Sequence, residues 1–348
     1  CSTVCSRSCA AWGSARSRPE FLKPFQQRWP WIGGDLQTLR DTLMVPRGSA
    51  DAAQRLLIRA PDGGSLLLKL DLPQQQDPWG WVLLVHGLGG SSDRPGVRRL
   101  AHLLVLKGFA VWRLNLRGAG EGRSLASGTY AAACNRDLLP VLAAVRERAR
   151  GRPLLGVGLS LGGTVLLNAL LEHPGGLDGL ACVSSPLDLG ACARQIARPR
   201  NALYQWHMVR GLIRLVLADP QAIAPASLGR IARIGTVRDF DALITAPGWG
   251  YANVDHYYRE ASPLQGLCSG ASLPPLLLIH ALDDPLVPAG SLVALAGQQL
   301  RNREILLPGW GGHNGFHGAA DPPDGSWADC HVAEWLARRC RELPAGFL

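Results

Sequence analysis

The chain has 348 residues, 47% hydrophobic and 18% charged, with 36 basic against 27 acidic residues and a formal net charge of +9. This composition excludes a disordered polypeptide and allows a sizeable core. The best apolar run, LAHLLVLKGFAVWRL, is cut by Lys107 and Gly108 and falls short of the roughly 20 residues that cross a bilayer, so a soluble, cytoplasmic protein is expected.

In chain order, residues 1–20 come first: Cys1, Cys5 and Cys9 lie four apart in a Ser/Arg-rich stretch with no acidic residue before Glu20. A frayed, disordered tail is the expectation, ahead of a metal clip, a targeting peptide or a lipidated cysteine. The remaining chain, 21–348, reads as one domain. LLIRAPDGGSLLLKLDLP alternates apolar positions around Asp62-Gly63-Gly64 and predicts a hairpin. WVLLVHG then predicts a buried strand and RPGVRRLAHLLVLKG an amphipathic helix. Strand and helix go on alternating through FAVWRLNLRG, AACNRDLLPVLAAVRERARG, PLLGVGLS, LGGTVLLNALLEHPGG and LDGLACVSSP. Such alternation predicts an α/β fold with a mostly parallel sheet and helices on both faces.

From about residue 187 to 263 the rhythm stops, and the segment reads as helical and rich in Arg, Trp and Tyr. It resumes with LPPLLLIHALDDP, AGSLVALAGQQLRN, REILLPGWGGH and WADCHVAEWLARRC. A helical insertion between two strands of one sheet predicts a cap over the carboxyl edge, where open parallel sheets bind ligands. Arginines such as those in VRERARGR are expected on exposed helix faces; with no aromatic-interleaved basic patch, nucleic acid is not an expected partner. The basic surplus leaves room for peripheral contact with an anionic membrane. Nine cysteines cannot all pair, and the six from Cys134 onward are expected as reduced, mostly buried thiols.

Gly158-Leu159-Ser160-Leu161-Gly162 is G-x-S-x-G at a strand-to-helix junction. A nucleophilic serine there must sit in a tight turn with its hydroxyl projecting, and flanking side chains would collide with neighbouring backbone. A hydroxyl also needs a base. Of nine histidines, His313 in GWGGHNGF follows the last predicted strand in a glycine-rich loop; His317 is expected as a surface loop residue and His280 as a core histidine. The imidazole needs an acid, and HALDDPLVP offers Asp283 and Asp284, with Asp284 preferred because Pro285 biases it toward extended geometry. The order Ser160, Asp284, His313 is that of α/β-hydrolases. HGLGGSS, directly after the first buried strand, supplies an oxyanion loop, so the backbone N–H groups of Leu88 and Leu161 are the expected donors and His86 is structural. Arg117 is expected to brace loops through backbone hydrogen bonds. The aromatics Tyr204, Trp206, Trp249, Tyr257 and Tyr258 are read as packing residues of the insertion, ahead of the alternative that they line an acyl tunnel.

These residues resemble the YheT-like branch of the α/β-hydrolases, which includes eukaryotic abhydrolase-domain esterases acting on phospholipids and medium-chain esters. The resemblance runs from about Pro24 to Leu336 and rests on DLQTL, HGLGGSS, NLRGAG, GVGLSLGG, SSPLDLGACA, TVRDFDALITAPGWGYANVDHYYREAS, LLLIHALDDPLVP and GGHNGF. It implies a serine hydrolase with its triad on Ser160, Asp284 and His313. Asp35 departs from the family's histidine before Leu-Gln-Thr. The expected activity is cleavage of a small-molecule acyl ester or lipid through an acyl-enzyme, with no cofactor and no metal. The alternatives are thioester or amide cleavage on the same triad, or a non-catalytic lipid- or partner-binding homologue.

Overall fold

A computed structural model describes residues 24–43, 53–74, 77–219, 223, 225–298, 302–322 and 325–343. The predicted tail, with Cys1, Cys5 and Cys9, lies outside them. Eight strands form one sheet: β1 (Gln54–Arg59), β2 (Ser65–Asp71), β3 (Trp81–Val85), β4 (Ala110–Leu114), β5 (Leu154–Leu159), β6 (Gly179–Val183), β7 (Leu276–Ile279) and β8 (Arg303–Leu306), in the order β1-β2-β4-β3-β5-β6-β7-β8. β1 and β2 pair antiparallel, as do β2 and β4, and β3 to β8 run parallel. The hairpin closes at Gly63, whose φ of +88° a side chain would strain, and the Gly64 amide donates to Asp62 Oδ1 at 3.1 Å.

The parallel strands are apolar on both faces because both are covered. Leu83 and Val85 face helices Asn135–Ala149 and Leu161–Glu172, while the alternate residues Val82 and Leu84 face helices Pro95–Leu106 and Trp327–Glu342. Each fully buried leucine or valine of these layers contributes roughly 1.5–3 kcal/mol relative to exposure. Helix Pro95–Leu106 starts on proline, whose missing amide hydrogen has no intrahelical acceptor there, and stops at Gly108, φ +89°.

Between β6 and β7 the described residues are mainly helical, from Leu189–Ile196 through the 16-residue helix Ala202–Leu217 to Leu264–Cys268. Its core of Ile196, Val209, Leu212, Val216, Val237 and Phe240 includes Leu286 and Val287, which follow β7, so the insertion packs over the carboxyl end of the sheet. Two arginines outside the helices, Arg113 and Arg117, are buried. Arg113 pairs with Asp71 at 2.6 Å, and Arg117 with Asp137 at 2.7 Å and Asp62 at 2.7 Å. Among the described residues one backbone oxygen, that of Ser127, takes an Arg117 hydrogen bond, so Arg117 braces its loops chiefly through carboxylates. Cys134, Cys182 and Cys192 are buried free thiols, Cys330 and Cys340 are half-buried, and Cys268 is exposed. No helix among the described residues is long and apolar enough to cross a membrane.

Candidate active site

β5 delivers Ser160 into a turn with φ 53° and ψ −126°, left-handed geometry for a residue with a Cβ. The neighbouring glycines follow from close backbone approach. A Cβ on Gly87 would lie 2.8 Å from Ser160 Cβ, and one on Gly162 would meet the carbonyls of Val85 and, at 2.7 Å, His86. Helix Leu161–Glu172 begins immediately after Ser160, so its unpaired amides and positive dipole end face the hydroxyl.

His313 Nε2 lies 2.9 Å from Ser160 Oγ, and Nδ1 of the same ring lies 2.9 Å from Asp284 Oδ2. Asp284 is almost completely enclosed, and its Oδ1 accepts from the amides of Leu286 at 2.8 Å and Val287 at 2.9 Å. Burial by itself pushes this carboxyl up. The charge and hydrogen bond of His313, with help from His280 and the Val287 amide, more than offset it and hold the group below the usual carboxylate range. An ionised carboxylate only accepts, so Nδ1 of His313 carries the donated hydrogen and Nε2 is left to accept from the serine. Asp283 makes a different contact: its Oδ1 accepts from the Gly312 amide at 2.9 Å. Burial raises its pKa, the Gly312 amide pulls against that, and Asp284 adds to the rise.

The loop after β3 is held from behind. His86 Nδ1 donates to the Gly87 carbonyl at 2.8 Å and its Nε2 accepts the Leu116 amide at 3.2 Å, while burial brings the ring down to about 4 and keeps it neutral. The Gly89 amide donates to Tyr130 Oη at 2.7 Å. The Leu88 and Leu161 amides have no protein acceptor among the described residues. Both residues line an apolar cavity of about 70 Å³ that also contains Ser160 and His313. His280, as expected, is a core histidine, with Nε2 donating to the Val287 carbonyl at 3.0 Å.

Two features of the site escape sequence reasoning. The first is its N-terminal buttress, helix Gly34–Leu43. The His313 amide donates to Thr38 Oγ1 at 2.8 Å, and the Asn314 amide to Ser184 Oγ at 3.1 Å, which fixes both ends of the histidine's peptide unit. His317 is fully buried, contrary to its expected place on the surface. Its amide donates to Gln37 Oε1 at 2.7 Å, and its ring meets Arg40 at 3.1 Å and Asp41 at 3.4 Å. Asp41 in turn pairs with Arg99, which also holds Asp329 at 2.6 Å. Buried charges persist only when paired, and this cluster ties the buttress to the two helices on one sheet face. The departing Asp35 pairs with Arg200 at 3.0 Å and accepts from Tyr204 Oη at 3.1 Å, both from the insertion. The signal for the buttress was the DLQTL stretch, which contains both Gln37 and Thr38.

The second feature concerns the aromatics. Trp206 is exposed, and Trp249 donates to the Thr129 carbonyl beneath the Arg136 guanidinium; Tyr257 and Tyr258 pack in the core, as expected, and also line the cavity.

A mixed sheet in this strand order, with a serine elbow after β5 and the acid and histidine after β7 and β8, defines an α/β-hydrolase. The model of the family described as serine aminopeptidase, S33 (Hydrolase_4) matches residues 76–306, and the chain belongs to that family as a YheT-like member. It is 28% identical over 286 residues to the putative esterase YheT of Escherichia coli, covering 80% of this chain and 83% of that protein. It is 30% identical over 239 residues to the mouse phospholipase ABHD3, covering 68% and 58%. The chain thus spans about three fifths of the length of the mammalian relatives it matches. Among solved structures, Est1E of Butyrivibrio proteoclasticus with bound ferulic acid matches with a TM-score of 0.54 at 17% identity, over 82% of this chain and all of that one. The Pyrococcus furiosus esterase Pf2001 matches with 0.54 at 14%, over 82% and 92%. At such identities these two show the shared fold.

Proposed function

We propose that the protein is a serine hydrolase of carboxylic esters, esterase- or lipase-like, that works through an acyl-enzyme. The reading rests on one observation: Ser160 Oγ, the two ring nitrogens of His313 and Asp284 Oδ2 form a continuous hydrogen-bonded line with both links at 2.9 Å. Ser160 attacks the ester carbonyl as Nε2 of His313 takes its proton. The Leu88 and Leu161 amides receive the developing oxyanion, each such donor being worth about 3 kcal/mol of barrier. The imidazolium, steadied by Asp284, returns the proton to the departing alcohol. Water then enters by the same route, gives its proton to His313 and releases the acid, regenerating Ser160.

The helical insertion acts in this scheme as a cap that supplies the acyl cavity. Leu189, Ile196 and Met208 of the insertion, with Leu286 and Val287, make its wall apolar and suit it to the acyl part of a small ester or a lipid. The relatives' names, a putative esterase and a phospholipase, point the same way.

Fluorophosphonate labelling followed by p-nitrophenyl butyrate hydrolysis tests the proposal. Wild-type protein labels and turns over, and Ser160→Ala does neither. Labelling of Ser160→Ala at full strength refutes the assignment. A parallel panel of a thioester and an anilide with the same acyl group separates ester hydrolysis from thioester or amide cleavage by initial rate.

A further inference from the structure

Resting on that hydrolase reading, we propose that Asp241 reads the alcohol part of the substrate. Its carboxylate accepts a hydrogen bond from a free hydroxyl there, so the preferred substrates are esters of polyhydric alcohols that keep an unesterified hydroxyl.

Asp241 belongs to TVRDFDALITAPGWGYANVDHYYREAS, a stretch that the reaction scheme above leaves without a role. It opens a π-helical turn, Asp241–Thr245, of the kind that interrupts helices at functional sites. From that turn its side chain faces two cavities. One is the apolar cavity that holds Ser160 and His313. The other is smaller, and its wall includes Arg117, Thr129, Tyr130 and Thr245. Both are bordered by Leu88, Leu161, Tyr257 and Asp241. The two cavities therefore abut at the amides assigned to the oxyanion, where an ester divides into acyl and alcohol. The apolar branch suits the acyl chain, which leaves the second branch, with Asp241 at its entrance, for the alcohol.

A carboxylate in this wall is costly. If the site held only hydrocarbon, a leucine or asparagine would line it at lower desolvation cost. Asp241 is instead secured in place: Tyr258 Oη donates to Oδ2 at 2.8 Å and Thr245 supplies a second side-chain hydrogen bond. A carboxylate offers about four acceptor positions, so two protein donors leave capacity for a ligand. Burial pushes the group up to about 6, and these two hydrogen bonds pull against that rise. Among the described residues, His313 is the one basic side chain that shares the wall of the apolar cavity with it, and Arg117 lines the second cavity. A ligand hydroxyl that reaches this wall meets Asp241 as a hydrogen-bond acceptor.

Three butyrates test this. Ethyl butyrate, 2-hydroxyethyl butyrate and butyrylcholine share the acyl group and hence the acyl-enzyme, so kcat/KM compares only the steps in which the alcohol is present. Their ratios on one protein sample are independent of the fraction folded. We expect wild type to favour 2-hydroxyethyl over ethyl butyrate by about 10-fold, the scale of one hydrogen bond to a charged group. In Asp241→Asn that ratio falls toward one. Equal kcat/KM for these two esters in the wild type overturns the proposal without any variant, as does a preference that survives in Asp241→Asn. A preference for butyrylcholine that Asp241→Asn alone abolishes also overturns it, replacing a hydroxyl by a cation. Failure of the wild type to label with fluorophosphonate sinks the hydrolase reading instead, a separate outcome.

Discussion

Replacing Asp284 by asparagine changes one oxygen into an amide nitrogen, and the surrounding donors decide which one. Oδ1 accepts from two backbone amides, at 2.8 and 2.9 Å, while Oδ2 faces His313 Nδ1. Turning the new NH2 toward Leu286 and Val287 would leave two buried amide donors without an acceptor, at about 1–3 kcal/mol each. The NH2 therefore faces His313, and a donor there forces Nδ1 to accept. The ring then carries its hydrogen on Nε2, pointing at Ser160, and cannot take the serine's proton. The analogous tautomer reversal in serine proteases costs about 10⁴-fold in kcat, or about 5 kcal/mol of barrier. Because the two backbone bonds survive, the fold should persist. Initial rates on p-nitrophenyl butyrate, with circular dichroism as the control for folding, measure the effect. A loss under about 10-fold in folded Asp284→Asn, or a larger loss in Asp283→Asn, refutes the reasoning, since asparagine at 283 can still accept from Gly312.

Thr38→Val keeps the shape of the buttress but strips the acceptor from the His313 amide; it should destabilise the histidine loop by about 1–3 kcal/mol and lower the melting temperature and kcat together, with Thr38→Ser restoring both. Gly162→Ala sets a methyl against the Val85 and His86 carbonyls, and the resulting overpacking, of about 1–3 kcal/mol or more, should appear as a lower melting temperature, whereas Gly175→Ala, with open space around it, serves as the neutral comparison. Folding holds His86 neutral down to about 4, while the unfolded chain protonates near 6.5. Unfolding thus takes up a proton between those values, and stability falls as the pH drops. Between about pH 7 and about pH 5 the His86 contribution by itself amounts to about 2 kcal/mol; His280 and His331, also lowered by burial, add in the same direction, while Asp241, Asp283 and Asp329, raised by burial, oppose it by taking up protons in the folded state. A His86→Asn variant whose urea midpoint drops between the two pH values as far as that of the wild type would contradict it.

The readable parts of this protein are those whose cause is local. Alternation around Asp62-Gly63-Gly64 specifies a hairpin because side chains alternate and glycine takes φ > 0 at the turn. The spacing of Gly158, Ser160 and Gly162 marks an elbow because each glycine stands where backbone passes too close for a Cβ. The order of Ser160, Asp284 and His313 follows from strand order alone. The choice of Asp284 over Asp283 was open in the sequence, since adjacent residues point in different directions, and only the placement of the turn after β7 decided which one meets His313.

What tertiary structure alone decided are contacts between segments remote in the chain. His317 looks like a polar residue in a glycine-rich loop, yet it is buried because Gln37 and Asp41, some 280 and 276 positions earlier, come to meet it. Tyr257 and Tyr258 read as packing residues, and with Asp241 they line the two cavities only because the insertion folds back over the sheet edge. Local patterns encode backbone geometry through sterics and side-chain period. The partners of a buried charge depend on which surfaces the packed layers bring together, and no window of the chain contains that information.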